Sequence, residues 1–284
     1  MTSLDLPQAG TGPEPGDSPE ARSRRGPAPV LPVSLPSAAL LTVVSLVGVA
    51  AYGWPFLLRT GATTASHSTD APWVFVALLP LLVLVVLAEL SSGGIDAKAV
   101  AMLGMLTAVG AALRALGPGA VGLEPSFIVV VIGGRVFGRG FGFVLGALSM
   151  FAGALLTGGV GPWLPFQMLG AAWVGLLAGM LPARTRGRAE VLMLAGFGFV
   201  AGLFYGGLLN LWFWPFGAYS PETSYVAGAP AAANLHHYLV FWATTSLGWD
   251  IPRGLLTAVA VLIMGRPVLA ALRRVARRAH FASA

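Results

Sequence analysis

The chain has 284 residues, of which 56% are hydrophobic and only 10% are charged, and its mean hydropathy is +0.79. Soluble domains carry roughly 25% charged residues, so this composition excludes an ordinary soluble protein and indicates an integral membrane protein. Cysteine is absent, which excludes disulfides and thiolate metal sites. The net charge of +6 does not indicate nucleic-acid binding, because the arginines flank apolar segments rather than lie among aromatic residues on a polar surface.

Residues 1–36 are rich in proline, glycine and charge and have too little apolar content to fold, so we predict a disordered cytoplasmic tail. The apolar run that follows is too long for a signal peptide and is predicted to stay as a membrane helix. A helix needs roughly 20 apolar residues to cross the bilayer. The segments of that length are 37–58, 72–90, 97–116, 163–181, 189–212 and 251–269.

The apolar stretch 125–157 is too long for one straight helix and carries Arg135 and Arg139 near its centre. Since charge in the middle of a bilayer is costly, we predict two short helices, 125–137 and 140–157, that meet at this glycine- and arginine-rich turn. The predicted fold class is therefore all-α, a polytopic membrane protein of about eight transmembrane helices.

The basic residues predict the orientation of these helices. With the amino terminus in the cytoplasm, only Arg59, Arg114 and Arg253 of the 17 basic residues lie outside. The reverse orientation would break the positive-inside rule in nearly every loop. We therefore predict that both termini are cytoplasmic, with a basic tail at 271–284, and that the loops 117–124, 157–162 and 212–250 are external.

The external segment 212–250 is unusually rich in aromatic and histidine residues. These residues are Trp212, Trp214, Tyr219, Tyr225, His236, His237, Tyr238, Trp242 and Trp249. An interfacial aromatic belt explains part of this set, but such side chains also form rigid walls of ligand pockets. Residues 235–247 resemble a short helix lying across the outer mouth. The segment therefore predicts a lid over an outward-facing pocket.

Four pieces of the sequence, taken in order, carry a family resemblance. They are a small-residue helix ending in Ala-Leu-Arg114, a hairpin through Gly133-Gly134-Arg135 and 140–149, the stretch Gly-Pro-Trp-Leu-Pro-Phe-Gln at 161–167, and a closing helix from Asp250-Ile-Pro-Arg253 to Gly265-Arg266-Pro267. Residues 97–278 thereby resemble the substrate-binding S component of energy-coupling factor (ECF) vitamin transporters. The six helices of 97–270 correspond to the substrate-binding core of that family, and 37–96 adds two helices that the six-helix pattern lacks.

The resemblance implies a subunit of a prokaryotic plasma membrane that binds a vitamin or related micronutrient near the outer surface. It also implies a partner, a membrane T component bearing two cytoplasmic ATPases. The chain itself has no Walker-A sequence, so we expect no ATP hydrolysis, catalytic residue, cofactor or metal in it. The family docks on its T component through small residues of the first core helix, and ordinary packing inside the bundle is the alternative for that face. The corresponding residues here are Ala97, Ala101, Gly104, Ala108 and Ala112.

Polar and aromatic residues near the outer end are the candidate substrate-binding residues, because a polar group buried there needs a partner. Gln167 offers both a donor and an acceptor, and Arg114 would suit a carboxylate or phosphate if it faces the pocket. The full candidate set is Arg114, Trp163, Gln167, Tyr205, Asn210, Trp214, Tyr219, His237, Trp242 and Trp249.

Two further residue pairs have structural interpretations. Asp250 is predicted to be the N-cap of the last helix, with Pro252 in its first turn. His236 and His237 are adjacent and point about 100° apart on a helix, so they do not easily share one metal.

Other classes of function remain open at this point. An autonomous secondary transporter is the first alternative, but it would lead us to expect an intramembrane carboxylate or histidine relay and an internal repeat, and neither is clear. A non-transporting scaffold or an intramembrane enzyme is the second, although no hydrolase motif is recognisable. Within the resemblance, the 161–167 stretch is similar to S components grouped with corrinoid uptake, which favours cobalamin over riboflavin, thiamine or a queuosine precursor.

Overall fold

The computed structural model describes residues 35–57, 97–117, 122–217 and 219–280. The predicted tail at 1–36, except for its last two residues, and the predicted helix at 72–90 lie outside the described residues. Both therefore stay predictions.

The described residues form eight α-helices and one 3-10 turn, with no β-strand among them, which confirms the predicted all-α class. The helices are α1 (Leu35–Leu57), α2 (Ala97–Leu116), α3 (Phe127–Phe137), α4 (Arg139–Thr157), α5 (Leu164–Met180), α6 (Gly187–Phe213), α7 (Ala231–Thr245) and α8 (Leu247–His280). The 3-10 turn, Trp214–Phe216, follows α6 directly.

Five of these helices, α1, α2, α4, α6 and α8, are long and apolar enough to cross a membrane. The apolar helices α3 and α5 are shorter, with 11 and 17 residues. Large apolar side chains such as Leu46, Val200 and Ile263 are exposed on the surface of the helices, as expected where the surrounding solvent is lipid. The chain is a polytopic membrane protein.

The predicted division of 125–157 into two helices is confirmed. Gly138 separates α3 from α4 with a φ of 104°, a conformation that only glycine adopts without a steric penalty. Arg135 is 5% exposed, and its Nε donates to Glu190 Oε1 at 2.7 Å. Its two Nη groups donate to the carbonyls of Leu181 and Thr185, so its charge and N–H groups are satisfied at the end of the helix.

Helices α4 and α5 pack backbone to backbone at the centre of the bundle. A Cβ placed on Gly142 would lie 2.3 Å from the carbonyl oxygen of Gly175, and a Cβ on Gly175 would lie 2.0 Å from that of Gly142. Any larger side chain at either position would push the helices apart, which explains why small residues recur along this contact.

The additional helix α1 is attached to α5 by hydrogen bonds as well as by apolar contacts. The buried Tyr52 hydroxyl donates to the carbonyl of Phe166 at 2.6 Å. Near the other end of the contact, Trp173 Nε1 donates to Ser45 Oγ at 3.1 Å. Because both bonds lie on one side of the core, α1 braces the bundle from outside.

The two ends of the bundle are chemically distinct. The rings of Trp163 and Trp212 lie 6.5 Å apart, so the loop before α5 and the last turn of α6, where the aromatic segment begins, meet at one end. The opposite end holds the turn between α5 and α6 and the Arg135–Glu190 pair. We call the aromatic end the outer end, following the orientation that the positive-inside rule predicts.

Candidate functional site

A cavity of about 510 Å³ opens at the outer end, between α6, α7 and the first turns of α8. Aromatic side chains line much of it, namely Phe213, Tyr219, Phe241 and Trp249. Its volume lies within the roughly 300–1,000 Å³ of sites that enclose a small organic ligand.

Asp250 and Arg253 are the charged residues that line this cavity. Arg253 Nη1 donates to Asp250 Oδ1 at 2.5 Å, and the indole Nε1 of Trp242 donates to Oδ2 of the same carboxylate at 2.8 Å. The Asp250 side chain is 3% exposed and that of Arg253 is 14% exposed. Trp242 and Arg253 therefore both donate hydrogen bonds to the buried carboxylate of Asp250.

The prediction that Asp250 is an N-cap is wrong. Helix α8 begins at Leu247, because the carbonyl of Ser246 accepts the backbone N–H groups of Trp249 and Asp250 and starts the helix one turn earlier than expected. Asp250 lies inside the first turn, where a carboxylate interacts favourably with the helix dipole. Its oxygens accept side-chain donors instead of capping the helix.

Two buried N–H groups among the cavity residues have no hydrogen-bond partner within the described part of the chain. They are Asn210 Nδ2 and Arg253 Nε. A buried donor without an acceptor costs about 1–3 kcal/mol, so such groups in a native structure call for an explanation. Arg253 also lies over the ring of Tyr205, 5.4 Å from its centroid, which places Tyr205 directly behind the cavity wall.

A second polar network surrounds Arg114 at the same end. Its Nη1 lies 2.8 Å from Glu124 Oε2 and 3.0 Å from Met150 Sδ, and its Nη2 donates to Gln167 Oε1 at 3.0 Å. Ser126 Oγ donates to the other oxygen of Glu124 at 2.8 Å. This network connects α2, the loop before α3, α4 and α5.

The electrostatics of Glu124 reflect this setting. Burial raises the pKa of the Glu124 carboxyl above its ordinary value, and the Arg114 guanidinium and the Ser126 hydroxyl act in the opposite direction. The carboxylate and the guanidinium therefore depend on each other for compensation of their burial.

Helix α7 forms a fixed cover beside the cavity. The Tyr238 hydroxyl donates to the carbonyl of Gly207, and the ring of Phe241 packs 4.7 Å from that of Tyr219. The side chain of Asn234 exchanges two hydrogen bonds with the backbone of Val226, each 2.9 Å long, and so attaches the preceding loop to α7. The predicted short helix in this segment is confirmed, although it spans 231–245 rather than 235–247.

The structure distributes the predicted site residues over four places. Asn210, Tyr219 and Trp249 line the cavity, Trp242 reaches it through Asp250, and Tyr205 lies behind Arg253.

The other candidates lie outside the cavity lining. Arg114 and Gln167 belong to the second network, and Trp163 packs against Trp212. Trp214 is fully buried and donates to the carbonyl of Thr223 at 2.6 Å, while His237 Nδ1 lies 2.8 Å from the carbonyl of Ser224. Trp214 and His237 therefore attach the loop around 223–224 to the end of α6 and to α7.

Sequence reasoning missed Phe213, Phe241 and the pairing of Asp250 with Arg253. The two phenylalanines carry no signal in the sequence beyond their position near other aromatic residues. Among the described residues, no three histidine, aspartate or glutamate side chains converge on a possible metal site.

The small-residue face of α2 lies on the outside of the described bundle. Ala101, Gly104, Ala108 and Ala112 are exposed, and no described atom lies within 4 Å of a Cβ placed on Gly104. The side chain of Ala97 lies outside the described residues. Within this part of the structure, the face is not used for packing inside the bundle.

Comparison with known proteins agrees with this architecture. A family model described as "ECF transporter, substrate-specific component" matches residues 98–265, which is more than half of the chain and runs from α2 into α8. No match was found among the curated proteins or the solved structures. The chain therefore belongs to the family of substrate-specific components of ECF transporters.

Proposed function

We propose that this subunit captures a vitamin or related micronutrient in the outer cavity for ATP-driven uptake. The observation that carries the proposal is the cavity itself, which combines aromatic walls with the polar side chains of Asn210, Asp250 and Arg253. Rigid rings with a few polar groups of fixed position are the usual composition of a small-molecule site. The family relationship supplies the context of transport.

ATP hydrolysis belongs to partner subunits in this proposal, a membrane T component with two cytoplasmic ATPases. The exposed small residues of α2 support a docking role for that helix, because small side chains let another helix approach closely. Residues 97–270 are then the substrate-binding core, with both termini in the cytoplasm as the distribution of arginines predicts. Helix α1 braces this core through Tyr52 and Trp173.

Cobalamin remains the compound that the 161–167 stretch favours. A corrinoid is much larger than the ligands that a cavity of about 510 Å³ encloses, so only one part of it would enter this cavity. The remainder would extend past Trp249, which lies at the edge of the cavity and is 49% exposed.

The test uses the full chain, extracted from membranes in mild detergent, and mass spectrometry of the small molecules that co-purify with it. Thr245 lines the cavity and is exposed, so Thr245→Trp should fill the cavity with little disturbance of the core. The matched control is Thr244→Trp, since the neighbouring threonine is also exposed but does not line the cavity.

We expect one small molecule to co-purify with the wild-type protein and with Thr244→Trp, and to be absent from Thr245→Trp. Equal retention by both variants would show that the molecule binds elsewhere. A wild-type protein that is empty and that also fails to bind any compound of a vitamin panel would contradict the proposed function.

A further inference from the structure

The charge in the outer cavity is already balanced before any ligand binds. Among the described residues that line it, Arg253 is the one cation and Asp250 the one anion, and their side chains meet at 2.5 Å. Both side chains are largely buried. A carboxylate or phosphate on the ligand would lose its hydration next to Asp250 and would meet no cation that is free to pair with it.

The second guanidinium of the outer end does not change this balance. Arg114 lies outside the cavity lining, and its N–H groups are directed at Glu124, Gln167 and Met150. An anionic group that reached Arg114 would therefore have to displace Glu124 from a buried ion pair.

The donors and acceptors on Asn210, Arg253 and Asp250 also differ in whether they already have hydrogen-bond partners. Asn210 Nδ2 and Arg253 Nε are donors without acceptors in the described structure, whereas both oxygens of Asp250 already accept bonds. A ligand that supplies acceptors, such as carbonyl oxygens or ring nitrogens, suits these donors and the hydroxyl groups of Tyr219 and Ser246, which also line the cavity.

The shape of the lining favours a flat ligand. The rings of Phe213 and Phe241 meet edge to face, with centroids 6.1 Å apart, and Tyr219 packs on Phe241. Aromatic walls held in this way offer ring faces and edges on which another ring packs with more favourable energy than an aliphatic chain of equal area.

We infer, on the basis of the proposed function, that the part of the substrate held in this cavity is a neutral, planar heteroaromatic group. It carries carbonyl or ring-nitrogen acceptors along the edge that faces Asn210 and Arg253. Carboxylates and phosphates are rejected by the existing Arg253–Asp250 pair.

The test compares compounds that share a ring but differ in charge. Three matched pairs serve as probes: nicotinamide and nicotinate, pyridoxine and pyridoxine 5′-phosphate, and riboflavin and riboflavin 5′-phosphate. Binding to the full chain in lipid nanodiscs is measured by isothermal titration calorimetry. We expect at least one pair to bind, with the neutral member tighter by about tenfold or more, which corresponds to about 1.4 kcal/mol.

Two variants test the cause of this preference. Asp250→Asn keeps an oxygen that accepts the Trp242 N–H but removes the compensating charge, so the neutral-to-anionic affinity ratio should fall by about tenfold or more. Glu222→Gln removes the same charge from an exposed position in the outer loop and should leave the ratio unchanged. Asn210→Leu should weaken both members of a pair by about tenfold, without altering their ratio.

Tighter binding of the anionic member by the wild-type protein would overturn the inference, as would an unaltered ratio in a folded Asp250→Asn variant. If Thr245→Trp abolishes binding of the anionic compound, the cavity is still the capture site, and the proposed function stands although the inference fails. Failure of all three neutral members to bind also overturns the inference. The proposed function is then decided separately by whether a molecule co-purifies with the wild-type protein.

Discussion

Gly206 and Gly207 on α6 allow the Asp250 site to be tested with the same substitution at two adjacent positions. A Cβ placed on Gly206 would lie 1.8 Å from Asp250 Oδ1 and 2.2 Å from Oδ2, far inside van der Waals contact. A Cβ on Gly207 would meet its nearest atoms, on Trp242 and Tyr238, at an ordinary 3.7 Å. Gly206→Ala must therefore displace the carboxylate, whereas Gly207→Ala displaces nothing.

The magnitude follows from the bonds that Asp250 makes. A displaced carboxylate loses its hydrogen bonds with Arg253 and Trp242, and each bond to a charged group contributes about 1.5–3 kcal/mol. Alanine in a helix regains about 0.5–1 kcal/mol relative to glycine. We expect Gly206→Ala to lower the free energy of unfolding by about 2–5 kcal/mol, and Gly207→Ala to leave it unchanged or to raise it by about 0.5–1 kcal/mol.

Intrinsic tryptophan fluorescence during heating in detergent is a suitable assay, because the chain has eight tryptophans and no cysteine for thiol-reactive dyes. The affinity for the co-purifying molecule should be measured in parallel, since the displaced carboxylate also releases Arg253 into the cavity. If Gly206→Ala matches Gly207→Ala in both stability and affinity, the reasoning about Asp250 is refuted.

Two further predictions concern other parts of the molecule. Ala108→Trp on α2 should abolish co-purification with the T component and its ATPases, because a bulky side chain prevents the close approach of another helix. Ile263→Trp, on an exposed part of α8, is the control and should leave co-purification unchanged. Equal recovery of the complex with both variants would show that α2 is not the docking helix. Glu190→Gln should lower the free energy of unfolding by about 3–5 kcal/mol, because it leaves the buried Arg135 without a carboxylate. The exposed Glu222→Gln should change that free energy by no more than about 0.5 kcal/mol, and a similar value for Glu190→Gln would refute the role of the inner ion pair.

Several features of the fold could be predicted because they depend on local chemistry. Arg135 and Arg139 could not lie at the bilayer centre, so the apolar stretch around them had to turn, and Gly138 provides the turn. The aromatic character of 212–250 predicted a structured cover at the outer end, and α7 provides it. In both cases the signal lies in one continuous segment of the sequence, and it follows from the properties of the bilayer as a solvent.

The site itself could not be predicted in the same way, because its chemistry depends on partners from different helices. Whether an arginine is available to a ligand is decided by its neighbours: Arg114 is held by Glu124, from the loop that follows its own helix, and by Gln167, from α5. Asp250 accepts a hydrogen bond from the indole N–H of Trp242, across the turn between α7 and α8. Because α8 begins at Leu247, Asp250 lies inside the helix and cannot be its N-cap. Spacing carries no information on these contacts between helices, whereas the i,i+3 spacing of Asp250 and Arg253 on α8 does favour their contact.

The pairing of arginines has a consequence for transport. The four arginines of the described chain that are not exposed each contact a carboxylate: Arg135 and Arg273 share Glu190 at the inner end, and Arg114 and Arg253 have Glu124 and Asp250 at the outer end. The outer pairs are each neutral. The resemblance to S components implies that the subunit reorients in the bilayer during transport, and we propose that its loaded outer end thereby passes the hydrocarbon region.

A charge that enters hydrocarbon without a partner costs several kcal/mol, whereas a close ion pair is partly compensated. The paired arrangement at the outer end therefore favours movement of the empty subunit, and a neutral ligand preserves that balance when the site is occupied. An anionic ligand would add an uncompensated charge to the segment that has to cross. On the proposed function, the same Arg253–Asp250 contact therefore limits both what the cavity binds and what the loaded subunit can carry through the membrane.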